Sequence, residues 1–345
     1  MARLDGGAQG PLSRREWLRL AAAGVLGGGA AGAVEDKERP SRLFIRTGPI
    51  SPRNRENEPF IGFFAVDPET AVWEKLTSKK SIAPWASVAP DGRIVAFCEN
   101  FPAEDNGVWV VDLAGDRPPK RILEERVTVS GSPRWSADGK ELVVCVDVGP
   151  RGEEARFQTY RLKADGAGKD ELPIAETDLV LDWSPDGEWL LVASGRDQPG
   201  NYRYRPRWPV DLVKLDGTGR RRLVDGGMLT NSGRFAAPEG RSITYVQIVG
   251  EDLMKVRETG LWMVDVDGRN RRRILSSRDE DAPANARWSP DGKHLAVRVI
   301  DALQRDADGN VANPLEYHLE IMDPDGSHRR RLDLPHSRPD LIDWR

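Results

Sequence analysis

Apolar residues alternate with polar ones in short runs along this chain, and turn residues separate the runs at regular intervals. The clearest run is "RWSPDGKHLAVRV", Arg287 to Val299: an apolar segment meets Ser-Pro-Asp-Gly and leaves with apolar side chains on every second position. A two-residue period reads as a half-buried strand. Pro presets φ for the first turn position, Asp supplies a side-chain acceptor, and Gly takes the positive φ, so the stretch predicts a tight hairpin. The pattern recurs as "VAPDGRIVAFCE" from Val88, "WSADGKELVVCV" from Trp135 and "WSPDGEWLLVAS" from Trp183, with a decayed copy, "AAPEGRSITYVQ", from Ala236. The turn acids Asp91, Asp138, Asp186, Glu239 and Asp291 stand 47, 48, 53 and 52 residues apart. A period of that size marks a repeat fold, here one made of strands.

A second hairpin type alternates with the first: an apolar strand, an acidic turn, and a short strand ending on an apolar residue. Its six copies include "FFAVDPETAVWEKL", "VDLVKLDGTGRRRL" and "LWMVDVDGRNRRRIL". Two hairpins per unit make four antiparallel strands, which with a period near 50 predicts β-propeller blades. "WSPDG" followed by an apolar strand, then "LWMVDVDG" and an Arg-Leu strand, resembles the WD-repeat-like propeller of the TolB family, over essentially all of 42–345. Val88 and Ala236 in place of Trp, and Glu239 in place of Asp, depart from that pattern.

The expected fold is therefore all-β, a six-bladed propeller of four-stranded antiparallel blades. "LIDWR" at 341–345 reads as an inner strand without its partner, and "RLFIRTG" at 42–48 as that missing partner. Pairing them closes the last blade with strands from the N- and C-terminal ends and removes the edges an open sheet would expose.

Residues 1–33 read as a targeting segment, in which Arg14 and Arg15 precede a mildly apolar, glycine-rich run that closes on Ala31-Gly32-Ala33. It resembles a twin-arginine (Tat) export signal, which implies cleavage after Ala33, a linker at 34–41 and a periplasmic or extracellular address. The run is too short and too weakly apolar for stable membrane insertion. Composition changes the picture in one respect. The chain carries a net charge of −4, and taking away Arg3, Arg14, Arg15, Arg19, Asp5 and Glu16 with the leader leaves 47 basic against 53 acidic residues, a net charge of −6. That balance argues against a nucleic-acid partner, which needs a basic face.

Candidate chemistry is sparse. Cys98 and Cys145 occupy equivalent strand positions of adjacent blades, too far apart for a disulfide, and are expected as buried thiols. The residue before the inner-strand Trp is Arg134, Asp182, Arg287 or Asp343, and the alternating signs point either to pairs Arg134–Asp182 and Arg287–Asp343 across blade interfaces or to independent solvated charges along the channel. The basic triplets 220–222, 271–273 and 329–331 read as charges that protect outer edges. All four histidines cluster late in the chain, and "DADGN" at 306–310 lacks the Gly of an EF-hand loop, so neither a metal nor a cofactor is called for. No G-x-S-x-G occurs, and no hydrolase domain is expected after the last strand.

Long connections between second and third strands fall on one face of the disc, and long loops on a rigid frame are where binding usually sits. Among them "NYRYRPRWP" alternates Tyr202, Tyr204 and Trp208 with Arg203, Arg205 and Arg207, residue types enriched at interface hot spots, and the run reads equally as a loop that folds back on its own blade. The expected function is a non-catalytic binding or scaffold module, monomeric, that engages a protein or peptide, or a glycan, on that face. The alternative is a carbohydrate lyase or hydrolase with carboxylates such as Asp197 or Glu316 at the channel mouth.

Overall fold

The computed structural model describes residues 41–47, 62–76, 85–99, 107–113, 118–123, 128–129, 131–149, 156–195, 208–228, 232–250, 256–276, 282–301, 316–334 and 339–345. All of them lie in the compact unit Pro40–Arg345. The leader residues Arg14, Arg15 and Ala33, and the linker to position 40, lie outside the described residues, as does "DADGN".

Six antiparallel blades make up the ring, as the repeat predicts. The first is β4(Trp85–Val88), β5(Ile94–Glu99), β6(Gly107–Asp112) and β7(Lys120–Leu123). The second contains β9(Arg134–Trp135), β10(Glu141–Asp147), β11(Phe157–Lys163) and β12(Lys169–Leu172), with β8(Thr128–Val129) extending it. The third is β13(Asp178–Trp183), β14(Trp189–Ser194), β15(Trp208–Lys214) and β16(Arg221–Met228). The fourth is β17(Arg234–Phe235), β18(Ser242–Gly250), β19(Val256–Asp265) and β20(Arg272–Ser276), joined to the third where Met228 pairs with Gln247. The fifth is β21(Ala282–Trp288), β22(Leu295–Asp301), β23(Glu316–Met322) and β24(Arg330–Leu332). The sixth has the order β25(Asp340–Trp344), β1(Leu43–Thr47), β2(Gly62–Val66), β3(Trp73–Lys75).

That sixth blade confirms the closure read from the sequence. Leu43 pairs with Trp344, Phe44 with Asp343 and Ile45 with Leu341, and Arg345 N–H donates to the Arg42 carbonyl at 2.9 Å. Strand alternation explains how one strand serves two interfaces. Leu43 and Ile45 pack with Ala296, Leu319 and Ile321 of the fifth blade, whereas Phe44 packs with Ala86, Val88 and Val95 of the first. The same alternation around the ring buries Leu142, Val144, Leu190, Val192, Leu295 and Val297, each at 1% exposure or less. Burying such a side chain contributes about 1.5–3 kcal/mol, so the apolar stripes account for the ring.

The hairpins are held by a repeated side-chain device. In the fifth blade Ser289 Oγ donates to Asp291 Oδ1 (2.6 Å) and accepts from His294 N–H (2.9 Å), while Asp291 Oδ1 also accepts from Lys293 N–H (3.1 Å). Ser136 with Asp138 repeats it, at 2.7 Å for the hydroxyl and 3.1 Å from Lys140 N–H. These donors favour the ionised carboxylate and hold Asp138 and Asp291 below the ordinary range, the serine hydroxyl contributing most. Gly292 sits at φ +71°, and a Cβ there would meet the Ala237 carbonyl oxygen at 2.2 Å, so the turn needs glycine for conformation and for space.

In the fourth blade the structure corrects the sequence alignment. Phe235, not Ala236, holds the position of the inner-strand Trp: it pairs with Ile243, eight residues on, as Trp288 pairs with Leu295, seven residues on. The turn carries one extra residue, and Gly240 N–H returns to the Ala236 carbonyl (2.7 Å) where Gly292 N–H returns to Ser289 (2.9 Å). Arg234 thereby takes the charged inner position that the alignment left unassigned.

The basic triplets also differ from expectation. Their first members fold inward across the sheet: Arg220 Nη1 donates to Asp211 (2.8 Å), Arg271 Nε to the Tyr245 hydroxyl (2.7 Å), and Arg329 Nε to Glu320 (2.8 Å). Their acceptors are buried, Asp211 and Glu320 on the third strand of the blade and Tyr245 on the second, so they are internal clamps and not only edge charges. Cys98 and Cys145 are both buried thiols, not joined in a disulfide, as expected. Burial pushes the Cys145 thiol up, which suits an inert core residue.

Candidate binding surfaces and the axial channel

Two faces follow from the strand path. The short Asp-Gly turns lie together on one face, where the His294 ring approaches Asp323 of the neighbouring turn at 3.8 Å. The connections between second and third strands leave from the other. Of the aromatic-arginine loop, Tyr202, Arg203, Tyr204, Arg205 and Arg207 lie outside the described residues. Trp208, its last member, opens β15 and is buried at 5% exposure. Gly195 makes room for it, since a Cβ on Gly195 would lie 3.0 Å from the indole ring and 2.5 Å from the Thr177 carbonyl oxygen. The end of the loop is thus pinned to the third blade by a core indole. Asp197 and the side chain of Glu316 also lie outside the described residues.

Through the centre runs a ring of equivalent inner-strand residues, one from each blade: Ser87, Arg134, Asp182, Arg234, Arg287 and Asp343. The expected pairs Arg134–Asp182 and Arg287–Asp343 do not form ion pairs among the described residues. Asp182 instead accepts from the Phe235 backbone N–H (2.8 Å) and Asp343 from the Val88 N–H (2.9 Å), each on the next blade. Arg287 Nε donates to the Ile342 carbonyl (2.6 Å), Arg234 Nη1 to the Leu181 carbonyl (3.1 Å), and Arg345 Nε to the Val88 carbonyl (2.9 Å). The physical reason is proximity: a neighbouring inner strand offers its backbone within reach, and a backbone group left unpaired on burial is costly. Charged side chains therefore staple blade to blade through the main chain.

Arg134 is the exception. It is 6% exposed, and its Nε and Nη2 donate to no protein acceptor; Ser87 Oγ, on the adjacent first blade, is buried without a partner as well. Desolvation first, then the Arg234 charge, pushes the Arg134 guanidinium down to about 9. Sequence reasoning found Arg134 but missed Arg234 and Ser87. The dipeptide Arg234-Phe235, matching Arg134-Trp135 and Arg287-Trp288, was the available signal.

Among the described residues, no helix is long and apolar enough to cross a membrane, and no three His, Cys, Asp or Glu side chains gather as metal ligands.

No protein-family model matches the chain. Its fold is similar to that of a TolB-type protein of Agrobacterium tumefaciens, with a TM-score of 0.61 and 18% identity over 88% of this chain and 92% of that one. It is also similar to TolB of Acinetobacter baumannii, at TM-score 0.62 and 16% identity, over 88% of this chain and 66% of that protein's length. An oligogalacturonate lyase in complex with manganese aligns at TM-score 0.52 and 14% identity, over 79% and 70% of the two chains. At such identities the likeness speaks for architecture alone, and on that ground the chain is a six-bladed β-propeller with the fold seen in TolB proteins.

Proposed function

We propose that the chain is a non-catalytic, exported binding or scaffold module that engages a protein or peptide, or a glycan, through the long-loop face. The observation that carries this reading is the 202–208 segment. Three aromatics alternate there with three arginines, and the segment is fastened at its end by the buried Trp208 on a rigid blade. Aromatic and guanidinium groups are the side chains that most often dominate the binding energy of an interface. The resemblance of the sequence repeats to the TolB family is what suggests a partner that is itself a protein. The test is capture from an envelope fraction: Tyr204→Ala and Arg205→Ala each weaken retention of the partner by about tenfold or more and leave the melting temperature unchanged. A fall in melting temperature with full capture would make the loop structural.

Export rests on Arg14 and Arg15 ahead of the apolar run. A Tat-type route carries folded cargo, which suits a ring whose first and last strands pair with each other. Replacing both arginines with Lys is expected to retain the chain inside the cell, as read by immunoblot of fractions. Unchanged export would remove this part of the proposal.

Likeness to an oligogalacturonate lyase keeps a second reading, a carbohydrate lyase with carboxylates at the channel mouth. Steady release of unsaturated product from oligogalacturonate would favour it over the binding module.

A further inference from the structure

We infer that the axial channel holds an oxyanion site built on Arg134 and Ser87. Four guanidinium groups, those of Arg134, Arg234, Arg287 and Arg345, meet two carboxylates, Asp182 and Asp343, at the centre of the ring, and they act on one another as a single charge cluster. Both carboxylates already accept a backbone N–H. Arg345 reaches Asp343 at 3.4 Å, while Arg234 and Arg287 spend their donors on carbonyl groups, which neutralise no charge. A buried cationic excess without a counter-anion is costly, because desolvation of each charge is not repaid.

The free donors define what would repay it. Nε and Nη2 are the two donors on the side-on edge of a guanidinium, and that edge matches two oxygens of a carboxylate or phosphate in a bidentate pair. Ser87 belongs to the neighbouring inner strand, whose carbonyl accepts the Trp135 indole N–H (3.2 Å), so the two orphans stand on adjoining blades. An oxygen of an anion held on the Arg134 edge would accept from the Ser87 hydroxyl as a third donor. The occupant is an oxyanion, either a free small ion or a carboxylate carried into the channel by a partner chain. The site shares no residue with the 202–208 segment, and either proposal survives failure of the other.

The test uses the full chain, dialysed into chloride buffer and titrated calorimetrically at constant ionic strength. Probes are sodium phosphate, sodium acetate, and a short peptide with a free C-terminal carboxylate beside the same peptide amidated. One-to-one saturation by phosphate or acetate, with a raised melting temperature, assigns a free anion; preference for the acid peptide over its amide assigns a partner's carboxylate. Arg134→Lys, which keeps the charge and loses the side-on edge, weakens the binding by about tenfold or more, and Ser87→Ala by about fivefold. Arg134→Met removes the uncompensated charge, so it raises the melting temperature in chloride and abolishes the further rise with the anion. Absence of saturation by every probe, or wild-type binding by Arg134→Lys, would overturn the site.

Discussion

Deleting residues 341–345 is expected to abolish the single cooperative unfolding transition of this protein. β25 buries Leu341, Ile342 and Trp344 at 1%, 5% and 5% exposure. At about 1.5–3 kcal/mol each, these three side chains supply about 5–9 kcal/mol, as much as the whole net stability of many domains. The loss does not stop at one blade. Arg287 would lose its acceptor at Ile342, Val88 N–H would lose Asp343, and β1 would be left as an open edge between the fifth and first blades. The single change Trp344→Ala is the gentler form, expected to cost about 3–5 kcal/mol by leaving a cavity in the fifth–sixth interface. Denaturant unfolding followed by tryptophan fluorescence and by circular dichroism checks both. Coincident, wild-type-like transitions in the truncated chain would mean that closure by the two end strands is dispensable.

The second large effect lies in the third blade, where Arg220→Met is expected to cost about 3–5 kcal/mol. Arg220 Nη1 donates to Asp211 Oδ2 (2.8 Å), its Nη2 donates to Asp178, and Arg222 Nε holds the other oxygen of Asp211 (2.5 Å). Asp178 is fully buried and Asp211 is 3% exposed, so removing the guanidinium takes a cation away from two carboxylates in the core. The sign of the pH dependence follows. Loss of the Arg220 guanidinium removes a charge that favours the ionised Asp178, so this carboxyl binds its proton more tightly in the folded variant than in the folded wild type, and the variant's deficit shrinks as pH falls. The deficit relative to wild type is therefore smaller at pH 5 than at pH 8. Arg221→Met is the control, since that neighbour is exposed and its guanidinium rests on Trp189, 5.1 Å from the ring centroid. Its cost should stay near or below about 1 kcal/mol. Equal melting curves for the two variants would return the basic triplets to the role of edge charges.

Local chemistry wrote the legible part of this architecture. Strand alternation, the Pro-Asp-Gly turns and their spacing are properties of neighbours in the chain, and each survived into the structure, as did the pairing of Phe44 and Ile45 with the last strand. The fourth blade shows the limit of that reading. One extra residue in its turn moved Phe235 out of alignment with Trp288. Because side chains alternate faces, a slip of one residue exchanges channel for core, and Arg234 went unassigned. The candidate site was less legible. Aromatic and arginine alternation marked the 202–208 loop by composition, but composition did not say that Trp208 turns inward to the blade while Gly195 yields the space.

By itself, then, the sequence determined the repeat, the number of blades and the way the ring closes, because these depend on hydrophobic period and turn geometry over a few residues. Only the tertiary structure decided the partners of the charges. Alternating signs along the chain implied carboxylate–guanidinium pairs, yet Asp182, Asp343, Arg234 and Arg287 turned to the backbone of the next blade, which lay closer and had its own groups to satisfy. What remained after those bonds were made, Arg134 and Ser87 at the axis, is a residue of three-dimensional bookkeeping that no one-dimensional pattern contains.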